Sequence, residues 1–305
     1  MLHITSLDEG LEIFKALGSD IRIQILNILL KENNMSMNQL ASRLNITGGA
    51  LTGHIKKLEE CGIITTTAES QGHGNQKLCS LHIDKILIDV EQPIDYSNVY
   101  NASLKVGQYS NHSISPTCGL ANTETVIGEL DDARYFDHPD RYSAEILWLT
   151  KGYVEYAVPN FIPPNQDITQ ISFSFEISSE APGCDSNWPS DIIFYINNTL
   201  IGKWTSPGAF GDIRGIFTPD WWPINMNQYG MLKLLVINKH GTYMDGLKIS
   251  DVSTPQLQLD STSTIKFKLG VDDDSEHVGG MTLFGKNFGN YGQDINVSIN
   301  YMPKD

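Results

Sequence analysis

Positive charge is scarce in this chain: 21 Lys+Arg stand against 36 Asp+Glu over 305 residues, a net charge of −15. That balance excludes a protein that coats nucleic acid through overall basicity. Long apolar runs are absent, none reaching the ~18 residues that a bilayer-spanning helix needs. Met1–Gly10 carries no basic segment followed by an apolar one, so no secretory signal is expected and the reading is cytoplasmic. The four cysteines, Cys61, Cys79, Cys118 and Cys184, form no C-x-x-C pair. This leaves neither a zinc knuckle nor a redox motif, and four reduced thiols are expected. G-x-S-x-G, P-loop and G-x-G-x-x-G signatures are missing as well. Carboxylates are numerous, but no spacing marks a pair for glycosidic bond cleavage. The sequence therefore assigns no catalytic residue, no cofactor and no metal ligand. It also lacks internal repeats and low-complexity segments.

What is present divides in two, as the length leads one to expect. Residues 1–90 hold 8 Lys+Arg and 10 Asp+Glu, a net −2, whereas residues 91–305 hold 13 and 26, a net −13. Phosphate repels the second part, which should stay clear of a duplex.

Hydrophobic spacing separates the same two parts. Leu7, Leu11, Phe14 and Leu17 repeat at helical intervals, Gly18-Ser19-Asp20 interrupts, and Ile21, Ile25, Leu26, Leu29 and Leu30 form the inner stripe of a second helix. Ser36 and Gln39 make a capping box for a short helix with Met37, Leu40, Ala41 and Leu44 inward. Thr47 caps a fourth helix lined by Leu51, Ile55 and Leu58, and Gly62 suits the left-handed position after it. Ile63–Thr67, a tip at 71–75 and Lys77–Ile83 read as a hairpin. Residues 84–100 read as a connector, with Ile86-Leu87-Ile88 ending the wing or starting the next domain.

Beyond it, helical periodicity gives way to short β-branched and aromatic runs. They are Ala144–Leu149, Tyr153–Val158, Ile168–Ile177, Asp191–Ile196, Leu232–Asn238, Thr264–Leu269 and Asn296–Tyr301. The expected fold is α+β and multidomain. A winged helix-turn-helix spans 1–90, a linker 91–100, and an antiparallel β-sandwich or jelly roll 101–305, for effector binding or dimerisation.

Phe14–Leu26 resembles the stretch of ArsR-type winged-helix regulators in which "ALSDPTR" runs into "ILxLL". Asn38–Ala41 is similar to their "ELA" turn, and Thr52–Ile64 to their "SxHLxxLxxAGLV" recognition segment. The resemblance covers the first ninety residues and implies a dimeric regulator reading a palindrome in double-stranded DNA. The chain departs from the family pattern at two places. The helix before the recognition helix has no cysteine, and a β-rich region replaces the helix after the wing, so metal sensing at either place is not expected. The stretch Ser190–Asn198 with Leu200–Gly202 resembles the strand-turn-strand of galactose-binding-like jelly rolls, which implies a carbohydrate or small-molecule module.

DNA contacts are expected from Thr47, Gly48 and Gly49 at the start of the recognition helix and from Thr52, His54, Lys56 and Lys57 along it. Arg43 on the preceding helix and His73, Gln76 and Lys77 in the wing complete the set. Four of five tryptophans, Trp188, Trp204, Trp221 and Trp222, fall between Cys184 and Gly246, among Asp191, Asp212, Arg214, Asp220 and Tyr229. Indole faces stack on sugar rings while carboxylates accept from hydroxyls, so these nine residues are the expected effector site. No membrane is expected among the partners, and a homodimer is. The alternatives are a sandwich serving only dimerisation or a protein partner, and a glycan-active enzyme. The run Asp272–Glu276 lacks EF-hand spacing and reads as a solvated turn.

Overall fold

A computed structural model of the chain describes residues 2–4, 7–70, 75–83, 85–88, 98–259 and 263–304. Contacts divide it into two compact units, Met1–Ile94 and Asp95–Asp305.

In the first unit the helices are α1 (Leu11–Leu17), α2 (Asp20–Leu29), α3 (Met37–Leu44) and α4 (Gly48–Glu60). Strand β2 (Met35–Ser36) joins the wing hairpin of β3 (Ile64–Ser70) and β4 (Asn75–Leu81) in the order β2-β4-β3. Strand β1 (Leu2–Ile4) pairs in parallel with β5 (Ile86–Ile88), so Ile86-Leu87-Ile88 belongs to this unit and neither ends the wing nor opens the next domain. The capping box forms as read: Gln39 N donates to Ser36 Oγ at 3.3 Å, and Ser36 N donates to Gln39 Oε1 at 2.9 Å.

Two expectations about the first helices need correction. The helix starts at Leu11 and not at Leu7, because residues 7–10 form a turn closed by Leu11 N on Asp8 O at 3.3 Å. Leu7 and Leu11 are consequently exposed, and Ile13 and Ala16 face the core. In α2, Leu30 is 71% exposed, while Arg22 is buried. The Arg22 guanidinium donates to Lys15 O at 2.7 Å and to Ala16 O, closing the carbonyl end of α1, whose last groups have no partners within the helix.

The second unit is a twelve-stranded antiparallel sheet that folds round one large core. Its strands are β6 (Val99–Leu104), β7 (Asn111–Ala121), β8 (Ile146–Val158), β9 (Gln166–Ser178), β10 (Ser190–Ile196), β11 (Thr199–Ser206), β12 (Met231–Asn238), β13 (Gly241–Met244), β14 (Leu247–Ser250), β15 (Ile265–Val271), β16 (Met281–Phe284) and β17 (Ile295–Pro303). β6 begins at Val99, inside the expected linker. The two runs read at Ala144–Leu149 and Tyr153–Val158 are one strand, β8.

β8 changes partner along its length, pairing with β16 over Ile146–Leu149 and with β15 over Gly152–Val158. The change falls at Gly152, where φ is +104° and a Cβ would lie 1.9 Å from Ser113 O, so only glycine fits. β9 likewise serves β17, β12 and β16. These shared long strands turn the sheet back on itself. Ile171, Phe173, Phe175 and Ile177 alternate inward along β9, as a period of two requires. The Phe173 and Phe267 rings stack with centroids 4.0 Å apart.

Replacing Arg22 with Met is expected to destabilise the first unit by about 2 kcal/mol, the range for charge-assisted hydrogen bonds. Urea unfolding followed by helical circular dichroism measures it. Arg22→Lys should not recover the loss, since one ammonium lacks the guanidinium's fork of donors.

Candidate nucleic-acid interface and sandwich pocket

α4 follows α3 through Asn45, whose φ is +51°, and Thr47, whose Oγ1 accepts from Ala50 N at 3.3 Å. Leu51, Ile55 and Leu58 leave water completely or nearly so. The opposite side exposes Gly48, Gly49, Thr52, Gly53, Lys56 and Lys57, with His54 half-buried between the two faces. A Cβ added at Gly48, Gly49 or Gly53 would meet nothing within 4 Å. Packing inside the protein therefore does not explain these glycines, although each costs a helix roughly 1 kcal/mol relative to alanine. The Thr52 hydroxyl is engaged locally, donating to Gly48 O at 2.8 Å.

The basic residues lie where the sequence reading puts them, but with acidic neighbours that it missed. Arg43 pairs with Glu32 at 2.5 Å, Lys56 with Glu60 at 3.7 Å, and Lys77 with Glu59 at 3.5 Å. The Arg43 hydrogen bond holds the Glu32 carboxyl below its usual range. Glu59 also accepts from the Thr66 hydroxyl and so ties α4 to the wing. Exposed pairs of this kind contribute little stability and exchange readily for another anion. Met37, Asn38, Gly48, Thr52, Lys56 and Lys77 line a shallow groove between α3, α4 and β4. His73 lies outside the described residues, as does the side chain of Gln76.

The nine expected effector residues do not share one pocket. Trp222 is buried at 1% exposure, its Nε1 donating to Asn227 O at 3.0 Å, and packs edge-on against Trp148 and Phe288. It is a core residue, not an exposed stacking platform. Arg214 donates to Pro219 O at 2.6 Å and to Trp222 O at 3.2 Å, holding its own loop. Lys233, ion-paired with buried Asp245, sits 4.5 Å over the Trp204 ring and covers that face from within. Asp212 accepts from the Tyr229 hydroxyl at 2.5 Å. Asp191 is fully buried, accepting from Lys203 Nζ at 2.9 Å and Thr205 Oγ1 at 2.7 Å. Trp188 and Trp221 remain 37% exposed, with Asp220 exposed beside Trp221, whose Nε1 donates to Thr123 O at 2.7 Å.

One pocket of the sandwich, about 660 Å³ with its open mouth, takes Trp222 alone from that set. Asp131, Glu180, Trp148, Asn227 and Thr282 line it as well. Thr282 Oγ1 donates to Glu180 Oε2 at 2.6 Å, and Asn227 Nδ2 donates to Thr282 Oγ1 at 3.1 Å. Burial, opposed by the hydrogen bonds from Thr282 and Asn227, pushes the Glu180 carboxyl up to about 7. These residues lie far apart in sequence, and only the strand order brings them together. Burial also raises Glu176, to about 8, against amides of Gly230, Asn290 and Tyr291 donating at 2.7 to 2.9 Å. Glu176 thus fastens two loops to β9.

At the far end of the acidic run, Asp191, Glu276 and His277 bring ligand atoms within 4.8 Å of one another. The Lys203 ammonium already neutralises Asp191, and Asp273 pairs with Lys151 at 2.9 Å.

Residues 19–65 match the family model described as winged helix-turn-helix DNA-binding. The transcriptional activator HlyU of Vibrio cholerae is 37% identical over 59 residues, 19% of this chain and 54% of that protein. An uncharacterized protein of Methanocaldococcus jannaschii is 42% identical over 52 residues, 17% of this chain and 56% of that protein. The chain therefore spans just over half the length of these curated relatives. The first unit carries a winged helix-turn-helix DNA-binding domain with a transcriptional regulator among its relatives; the second is an antiparallel sandwich. Among solved structures, the CBM36-1 domain of a multidomain xylanase from the hindgut metagenome of Trinervitermes trinervoides is 9% identical, with a TM-score of 0.29. It covers 66% of this chain and 97% of that domain, and at that score it carries no argument. No described helix is long and apolar enough to cross a membrane.

The raised carboxyl predicts a pH dependence. Glu180 keeps its proton longer when folded, at about 7 against an ordinary 4.5. Its contribution is therefore full below about 4.5 and is lost as pH rises through about 7, by up to about 3 kcal/mol. Thermal unfolding between pH 4.5 and 7 should show a flatter profile for Glu180→Gln than for the wild type. An unchanged slope would place the titration elsewhere.

Proposed function

We propose that the chain is a transcriptional regulator that reads an operator through the exposed face of α4 and responds to a small molecule held by the sandwich. The observation that carries the first half is the bare face of Gly48, Gly49 and Gly53 beside Lys56 and Lys57. Glycines that nothing inside the protein requires let the helix backbone approach base edges closely, and helix-start amides meet phosphate. Lys56, Arg43 and Lys77 exchange their carboxylates for phosphates on binding, and Lys57 adds a further phosphate contact. Thr52 and His54 face base edges and set sequence preference, while Thr47 and the wing position the head. A near-neutral head binds weakly alone, so the operator is an inverted repeat bound by a homodimer.

The carbohydrate reading of the second unit rests on the exposed rings of Trp188 and Trp221 and on the excess of hydroxyl-accepting carboxylates. A second reading, self-association through the sandwich, has its own support. The loop from β11 to β12 exposes Ile213, Ile216, Phe217, Trp221 and Ile224, more apolar surface than a loop normally leaves to water. Light scattering of the chain before and after Ile216→Asp decides it: a shift from dimer to monomer supports that reading.

Gly53→Ala separates structure from recognition. It should raise the stability of the first unit by roughly 0.5–1 kcal/mol and yet weaken operator binding in a mobility-shift assay. The double variant Lys56→Ala/Lys57→Ala should weaken binding to all sequences and reduce the log–log salt slope by about two. Unchanged binding in both variants would remove α4 as the reading element.

A further inference from the structure

The acidic pocket of the sandwich has a feature that a neutral sugar does not explain. Asp131 and Glu180 both line it, together with Asn227 and Thr282, and no lysine, arginine or histidine lies among the described lining residues. Among the other buried carboxylates described in this unit, Asp191, Asp245 and Glu155 pair with Lys203, Lys233 and Lys266, while Glu176 is held by three backbone amides and Glu145 by the backbone and side-chain amides of Asn287. Glu180 has only the Thr282 hydroxyl and the Asn227 amide, which are neutral groups. Asp131, exposed to solvent, accepts from Cys118 N at 2.9 Å, again a neutral donor. The same pocket is walled by Trp148 and Trp222, whose rings meet edge to face with centroids 5.7 Å apart. Carboxylate charge and indole quadrupole both attract a cation, and a partly closed space strengthens both.

We propose that this pocket binds a small organic ammonium ligand whose charged nitrogen sits between Asp131 and Glu180. The proposal rests on the reading of the sandwich as a small-molecule sensor and makes that molecule an aminated one. The net −13 of residues 91–305 works in the same direction, drawing cations to this unit.

Three probes that differ only at one carbon test it: glucosamine, glucose and N-acetylglucosamine, each titrated into the full chain near neutral pH with tryptophan fluorescence and calorimetry as readouts. Ethanolamine serves as a fourth, with the ammonium and a hydroxyl but no sugar ring. Glucosamine is expected to bind at least about tenfold more tightly than the two neutral sugars. Glu180→Gln should abolish that preference while keeping the shape of the pocket. Asp131→Asn, which retains an acceptor for Cys118 N, should weaken it in parallel should Glu180→Gln fail to fold. Equal binding of glucose and glucosamine overturns the ammonium proposal and leaves the sugar reading standing. Ethanolamine binding that depends on Glu180, with none of the three sugars bound, supports the ammonium proposal and removes the sugar. No response to any of the four overturns both.

Discussion

Leu51, Ile55 and Leu58 pack against Leu40 and Ile25, and their burial fixes how α4 is rotated about its own axis. Fully burying side chains of this size is worth about 1.5–3 kcal/mol each, more than any surface pair on the helix can offset. With that face committed, the other follows without choice: Gly48, Gly49, Gly53, Lys56 and Lys57 must look outward. The Thr47 cap and the left-handed Asn45 set where the helix begins, and Glu59 fastens it to the wing. Recognition in this unit is thus a by-product of packing, since the core decides which residues are left to meet a partner.

The sandwich handles charge differently. Its buried carboxylates are neutralised by lysines or held by amides, at Asp191, Asp245 and Glu176. An unanswered charge in a poorly solvated place costs stability, so such compensation is the rule. The exception is where β9 ends, at Glu180, whose carboxyl meets only the Thr282 hydroxyl and the Asn227 side chain. Sites that keep an energetic cost in the resting fold are where a ligand has most to gain, because its arrival supplies the missing partner.

How much of this the sequence disclosed depended on the range of the interaction responsible. The capping box of Ser36 and Gln39, the stripe of α4 and the positive φ of Gly62 are local, and each was readable from spacing alone. Arg22 was not, because an arginine on a helix reads as solvent-facing until the carbonyls of Lys15 and Ala16 turn out to lie within its reach. The two tryptophans at 221 and 222 were legible only as a pair with opposite faces; that Trp222 is the inward one depends on Trp148 and Phe288, distant in sequence. The Glu180 pocket had no signature, since its members come from six separate segments and only the partner changes of β8 and β9 assemble it. The acidic partners of Arg43, Lys56 and Lys77 were within reach at i+4 for Lys56 alone; the others needed the wing and the α2–α3 turn in place.

The claim on which the rest stands is that the first turns of α4 meet double-stranded DNA. Amide hydrogen exchange of the full chain, with and without a duplex carrying its own promoter, tests this directly. The account predicts new protection concentrated at residues 47–57, extending to the wing and leaving the sandwich amides unchanged. Protection confined to the sandwich, or none at 47–57 under conditions where the duplex is bound, would contradict it.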